Sequence, residues 1–123
     1  MKPFKLRERL ESFRYALRGV RVPIGSQHNA WIHALATIAV VAAGLSLRLS
    51  RDAWCWVVLA IMAAWTAEAL NTAVEFLADA AVPQRHPLVE KAKDVAAGAV
   101  LISAIGAAVI GSIVFLPHFA RLL

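Results

Sequence analysis

Apolar residues recur at helical spacing near the start of the chain. Leu6, Leu10, Phe13, Leu17 and Val20 form one stripe, and Lys5, Arg9, Glu11, Arg14 and Arg18 fill much of the remaining surface. The pattern predicts an amphipathic helix over 4–20. Such a helix lies at a membrane interface with its apolar face in the acyl boundary, or packs on the protein's own core. Pro23 and Gly25 are expected to break it, because proline lacks a donor and glycine permits unusual turns. From Ala30 the periodicity gives way to a continuous apolar run over 30–47, with His33 its one readily titratable side chain. At about 1.5 Å per residue, roughly 18 residues nearly cover a hydrocarbon core of about 30 Å. Arg48, Ser50, Arg51 and Asp52 make a short polar connection. A second span over 53–81 is uncharged through Ala67 and continues as helix past Glu68, Asn71 and Glu75. A loop from Val82 to Pro87 leads to the charged stretch Glu90-Lys91-Ala92-Lys93-Asp94. The third span, 95–116, is 22 residues without a charge, and Pro117 is expected to close it. The fold class predicted is all-α: one membrane domain, 1–123, with a surface helix and three transmembrane helices.

Composition supports that reading. Hydrophobic residues make up 60% of the 123, and charged residues 17%, far from the balance of a water-soluble domain. The charges are unevenly placed. The N-terminal segment carries seven Lys/Arg, including Lys2, and the second loop region adds Arg85, Lys91 and Lys93; the other side has Arg48, Arg51 and Arg121. Ten against three predicts a cytoplasmic N-terminus and second loop, with the C-terminus outside. The basic residues flank apolar runs, with no aromatic-basic platform, so nucleic acid is not an expected partner. Trp54 and Trp56 sit near the outer end of the second span, where amphipathic rings prefer to be. The single cysteine, Cys55, excludes an internal disulfide and any multi-cysteine metal site. The first apolar run is longer than a signal-peptide core, so it is expected to remain in the mature protein. In the third span Ala99, Ser103, Ala107 and Gly111 are each four apart, a ladder that lets helices approach closely in lipid. Three helices make a thin bundle, so self-association is expected.

An acid inside a span is costly and needs a reason. With Glu68 at zero on a helix turning about 100° per residue, Asn71, Glu75 and Asp79 fall at about −60°, −20° and +20°. All four line one face, with Glu68 about 10 Å deeper than Glu75. A polar stripe descending from the cytoplasmic surface suggests a site reached from water at one end and lipid at the other. The alternative is a structural carboxylate in an interhelical hydrogen bond. Lys93 can neutralise phosphate charge and Asp94 can cap the third helix or orient a donor; the pair can equally be a solvated boundary. His86 reads as a loop residue or a site residue, and His33 as a satisfied core histidine or a site residue.

These residues resemble a known family. Glu68-Ala-Leu-Asn71-Thr-Ala-Val-Glu75, then Asp79, His86-Pro87 and Ala92-Lys93-Asp94-Val-Ala-Ala-Gly98-Ala-Val-Leu101, are similar to the bacterial diacylglycerol kinase and undecaprenol kinase family. The likeness extends to Ser12-Phe13-x-Tyr15-Ala16-x-Arg18-Gly19 and covers nearly the whole chain. Asn71-Thr72, Asn29 followed by His33, His86-Pro87 and Ala97-Gly98 resemble the undecaprenol kinase branch more closely. The resemblance implies a homotrimer in the bacterial cytoplasmic membrane that transfers the γ-phosphate of ATP to a lipid alcohol with Mg2+. It implies Glu68 as general base, Asn71 ordering the catalytic face, and Glu75 as a magnesium ligand. It places Tyr15, Glu75, His86, Lys93 and Asp94 around the nucleotide. Undecaprenol is the first substrate expected and diacylglycerol the second.

One position departs from the family pattern. A glutamate is common just before the first span as a second metal ligand, and here Gln27 stands in that place. A neutral amide oxygen is a weaker ligand for a hard cation; water can bridge the gap, Glu11 can substitute, or activity is reduced. Two other classes compete with a kinase. A small proton-coupled transporter would use Glu68 as a carrier but leaves Lys93 and Asp94 unexplained, and a non-catalytic subunit would tolerate loss of the Glu68 charge.

Overall fold

The computed structural model describes Met1 and residues 3–123; Lys2, counted above among the basic residues, lies outside the described residues. Four helices in sequence make up the chain: α1 (Leu6–Ser26), α2 (His28–Ser46), α3 (Arg51–Ala81) and α4 (Pro87–Ala120). No strand occurs among the described residues. The last three are long and apolar enough to cross a membrane, at 19, 31 and 34 residues.

Local chemistry sets most of the helix ends. Ser50 caps α3 by accepting the Ala53 N–H at 3.2 Å, and Asp52 lies in the first turn, where the helix dipole favours an acid. The α2–α3 turn is a Schellman closure. The Leu49 N–H donates to the Gly44 carbonyl at 3.2 Å and that of Arg48 to Leu45 at 3.4 Å. Arg48 holds the left-handed position, with φ of 53°, that glycine usually occupies there.

Three expectations about helix ends are corrected. Helix α1 does not break at Pro23 but runs through it and Gly25 to Ser26. Proline removes only its own N–H bond, and the Pro23 carbonyl still accepts from Gln27 at 2.9 Å. The chain turns instead at Gln27, whose backbone is extended. Likewise Pro117 does not close α4, which continues to Ala120. Asp94 is not a helix cap, because α4 starts at Pro87. The cap is His86, whose Nδ1 accepts the Leu88 N–H at 3.2 Å. Proline suits that first position, where its missing donor is not needed.

Helices α3 and α4 form the principal packed pair, α2 leans on α3, and α1 touches α2 and α3. Leu49, Val57 and Phe115 make a small apolar cluster around the α2–α3 turn, with Trp54 packed against it. At this end Gly44 permits a close approach, since a Cβ there would sit 2.7 Å from the Trp54 ring. Most apolar side chains remain exposed on the single chain, including Leu6, Leu10, Phe13, Leu17 and Val20 of α1. That surface is suited to lipid or to further copies rather than to water.

Candidate active site

The polar stripe on α3 faces the other helices. Glu68 is fully buried, and Asn71 and Thr72 are buried just beyond it. Glu75 is half-buried, and Asp79 is exposed. The helical spacing therefore delivers what it predicts, a row of polar groups that passes from the bundle interior to one end.

Each level of the row meets a different neighbour. At the deep end both carboxylate oxygens of Glu68 and Oδ1 of Asn71 are buried with no hydrogen-bond partner. The nearest basic group to Glu68 is His33 on α2, with Nε2 at 3.5 Å from Oε2. One turn further on, the Thr72 hydroxyl donates to the Glu68 backbone carbonyl at 2.9 Å, which leaves the carboxylate itself unengaged. At the next level Gln27, in the α1–α2 junction, donates its side-chain amide to Oε2 of Glu75 at 2.9 Å. At the rim Lys93 of α4 pairs with Asp79 at 2.5 Å. That hydrogen bond holds the Lys93 ammonium above its ordinary 10.5, against a loss of hydration and with the Asp79 and Glu75 charges adding.

Two hollows meet at this row. An apolar groove of 620 Å³ runs along the α3–α4 seam, lined by Leu59, Met62, Leu70, Val95 and others, with Asn71 at its wall. A second hollow of 340 Å³ contains Asn29, His33, Asn71 and Glu75. Asn71 is common to both. The arrangement gives an apolar groove and a mixed hollow that share Asn71, whose Oδ1 is buried without a partner, while Glu68 lies one turn along α3 and lines neither.

Of the residues singled out from sequence, Glu68, Asn71 and Glu75 come together, and Lys93 joins them through Asp79. Gln27 reaches Glu75 across 48 positions. Glu11 does not; it pairs with Arg7 on the exposed side of α1 at 3.3 Å. Tyr15 is exposed on α1, with the Arg18 guanidinium 5.7 Å above its ring. Asp94 is exposed on α4, and His86 is occupied as the α4 cap. Sequence reasoning missed Thr37 and Trp65, which link α2 to α3 beside the deep end: the indole N–H donates to the Thr37 hydroxyl at 2.9 Å. A threonine and a tryptophan inside apolar runs give no sign of pairing until the helices are docked.

Residues 14–115 match the family described as prokaryotic diacylglycerol kinase. The chain belongs to that family. It is 38% identical over 107 residues to an undecaprenol kinase of Bacillus subtilis (strain 168), covering 87% of each protein. It is 40% identical over 115 residues to a diacylglycerol kinase of Synechocystis sp. (strain ATCC 27184 / PCC 6803 / Kazusa), covering 93% of this chain and 66% of that protein. The protein is thus a membrane lipid kinase, an enzyme that moves phosphate from a nucleotide to an alcohol. Lipid kinases must bring a phosphoryl donor from water to an acceptor in lipid, and here the row runs from the buried Glu68 to the exposed Asp79.

Among the described residues no three His, Cys, Asp or Glu side chains converge as a cage. Magnesium at a phosphoryl-transfer site needs none, because it keeps waters and takes one or two protein carboxylates with the phosphates. Glu75, which lines the hollow with Asn29, His33 and Asn71 and is held by a single amide, fits that role.

Proposed function

We propose that the chain is an ATP- and Mg2+-dependent undecaprenol kinase, acting as a homotrimer in the bacterial cytoplasmic membrane. The reading takes the N-terminus as cytoplasmic and the C-terminus as outside, following the ten-to-three distribution of basic residues. The observation that carries it is Asn71, which an apolar groove and a second hollow containing Glu75 share, one helical turn from the buried, unpartnered carboxylate of Glu68. The undecaprenol kinase relative, matched over 87% of both lengths, supports the choice of undecaprenol.

In this reading the lipid chain lies along the α3–α4 seam and its hydroxyl reaches Asn71. Glu68 takes the hydroxyl proton as the oxygen forms its bond to the γ-phosphorus. The bond from that phosphorus to the β–γ bridging oxygen breaks, and ADP leaves with the electron pair. Asn71 offers its amide to order the hydroxyl or a phosphate oxygen. Lys93, exchanging Asp79 for phosphate, and Asp94 bind the nucleotide from the rim, with Tyr15 and His86 beside it. Glu75 would hold Mg2+, with Gln27 beside it as the weaker second ligand. The bound ion supplies neutralisation of phosphate charge.

The test is purified protein in mixed micelles with labelled ATP and magnesium, offered undecaprenol and diacylglycerol separately and in competition. Preferential labelling of undecaprenol is expected. Preference for diacylglycerol would replace the substrate, and labelling of neither would defeat the reading. Glu68→Gln is expected to abolish phosphorylation while the protein still assembles. Retained turnover would remove the general base and favour a different role for this carboxylate.

A further inference from the structure

Glu68 has one titratable neighbour that the proposed mechanism leaves unused, and that neighbour is held in place with unusual care. His33 lies on α2, 14% exposed, with Nε2 at 3.5 Å from Oε2 of the fully buried Glu68. A small closure between α2 and α3 would make a hydrogen bond of this contact. A buried carboxylate without a donor is strongly disfavoured inside a membrane bundle, so the pull toward that bond is large.

The elements carrying the two side chains are pinned to each other one helical turn away. The Trp65 indole N–H donates to the Thr37 hydroxyl at 2.9 Å, and that hydroxyl donates to the His33 backbone carbonyl at 2.7 Å. The His33 ring also packs against the Trp65 ring, with centroids 6.2 Å apart and planes tilted by 53°. On the other side the Thr72 hydroxyl anchors the Glu68 backbone. One interhelical hydrogen bond and one ring contact therefore set the imidazole beside the acid, whose two oxygens remain without partners.

We propose that His33 is the positioning residue for Glu68. Its Nε2–H holds Oε2 and leaves Oε1 as the oxygen that meets the substrate hydroxyl. The inference rests on Glu68 acting as general base, and it adds a requirement that the base reading alone does not make: the imidazole must carry its proton on Nε2. The role is orientation through one N–H, so a side chain that offers an N–H at similar reach should stand in for it.

The test combines kinetics with a spectroscopic readout on the full-length protein. Against wild type, His33→Leu should lower kcat by about tenfold to a hundredfold, as loss of an orienting partner does elsewhere, while the KM for ATP stays unchanged. His33→Gln, which keeps an N–H donor, should recover most of kcat. In 15N-labelled protein the His33 ring should be an Nε2–H species whose resonance shifts in Glu68→Gln. A wild-type kcat in His33→Leu, with Glu68→Gln inactive, overturns the role of His33 and leaves the base intact. Turnover in Glu68→Gln removes the base and this role together. If His33→Leu does not fold, an Nδ1–H tautomer in wild type, or a His33→Gln no better than inactive, overturns the proposal.

Discussion

Glu75 and Gln27 show how one side chain can tune a site without changing its fold. The Gln27 amide donates to the Glu75 carboxylate at 2.9 Å, so two acids in these positions would repel each other until a cation lies between them. Gln27→Glu is therefore expected to lower the magnesium needed for half-maximal activity by about tenfold, equivalent to about 1.4 kcal/mol. The same variant should melt at a lower temperature than wild type without Mg2+ and recover when the ion is added, because an ion bound by the folded state stabilises it. No change in the magnesium dependence of either activity or melting would count against Gln27 as the weak ligand position. At this scale the sequence was informative where a residue type was out of place. Glu68 announces itself as an acid in an apolar helix, and the 100° rotation per residue aligns Asn71, Glu75 and Asp79 with it. His33 was ambiguous because a histidine in an apolar run has the same signature whether or not it faces an acid. Its neighbour is set by how α2 docks on α3, which no local pattern encodes.

Hydropathy made the three long helices legible, because a bilayer leaves the backbone few other options. Their ends were less so. Pro23 and Pro117 were read as stops, yet both lie close enough to a helix end that losing one hydrogen bond does not outweigh the turn that follows. The α2–α3 hairpin tip depends on Gly44, where an added Cβ would meet Trp54 at 2.7 and 2.9 Å and Leu49 at 3.0 Å. These are an indole ring and a packed leucine, which cannot simply swing aside. Gly44→Ala should destabilise the protein by about 1–3 kcal/mol, seen as a lower melting temperature in detergent with the lipid-kinase reaction otherwise intact. A melting temperature equal to wild type would show that the tip repacks freely. At the opposite end α3 and α4 are joined by Asp79 and Lys93. Because the pair raises the Lys93 pKa above 10.5, its contribution is complete below that value and is lost as pH rises through the higher folded one. Wild type should therefore out-melt Asp79→Asn at neutral pH, and the two curves should converge in strong alkali. A difference that persists unchanged there would assign the effect to something other than the ion pair.

The isolated chain leaves most of its spanning surface uncovered, and lipid alone does not explain how that surface is shaped. In α4 the small-residue row opens onto separate hollows: Ala99 onto the α3 seam, Ala107 onto a 290 Å³ gap facing α2 and α3, and Gly111 onto a third hollow near Phe115. Among the described residues, and apart from the local backbone of α4 itself, no atom comes within 4 Å of where a Cβ on Gly98, Gly106 or Gly111 would sit. Small residues are therefore not required there by the chain's own packing. In lipid, small side chains are favoured where another helix backbone approaches closely, and in the proposed trimer that helix belongs to a neighbouring copy. Gly111→Leu discriminates between the two accounts. If α4 faces only lipid, a leucine is as soluble there as a glycine and the assembly mass in detergent stays the same. If α4 packs on a neighbour, the added side chain should shift the particle from three chains toward one, measured by light scattering or native mass spectrometry, with helix content unchanged. Activity should fall with the trimer if the thin bundle needs its neighbours to close the hollow beside Glu75, and a dissociated chain of full activity would show that one copy builds the site alone.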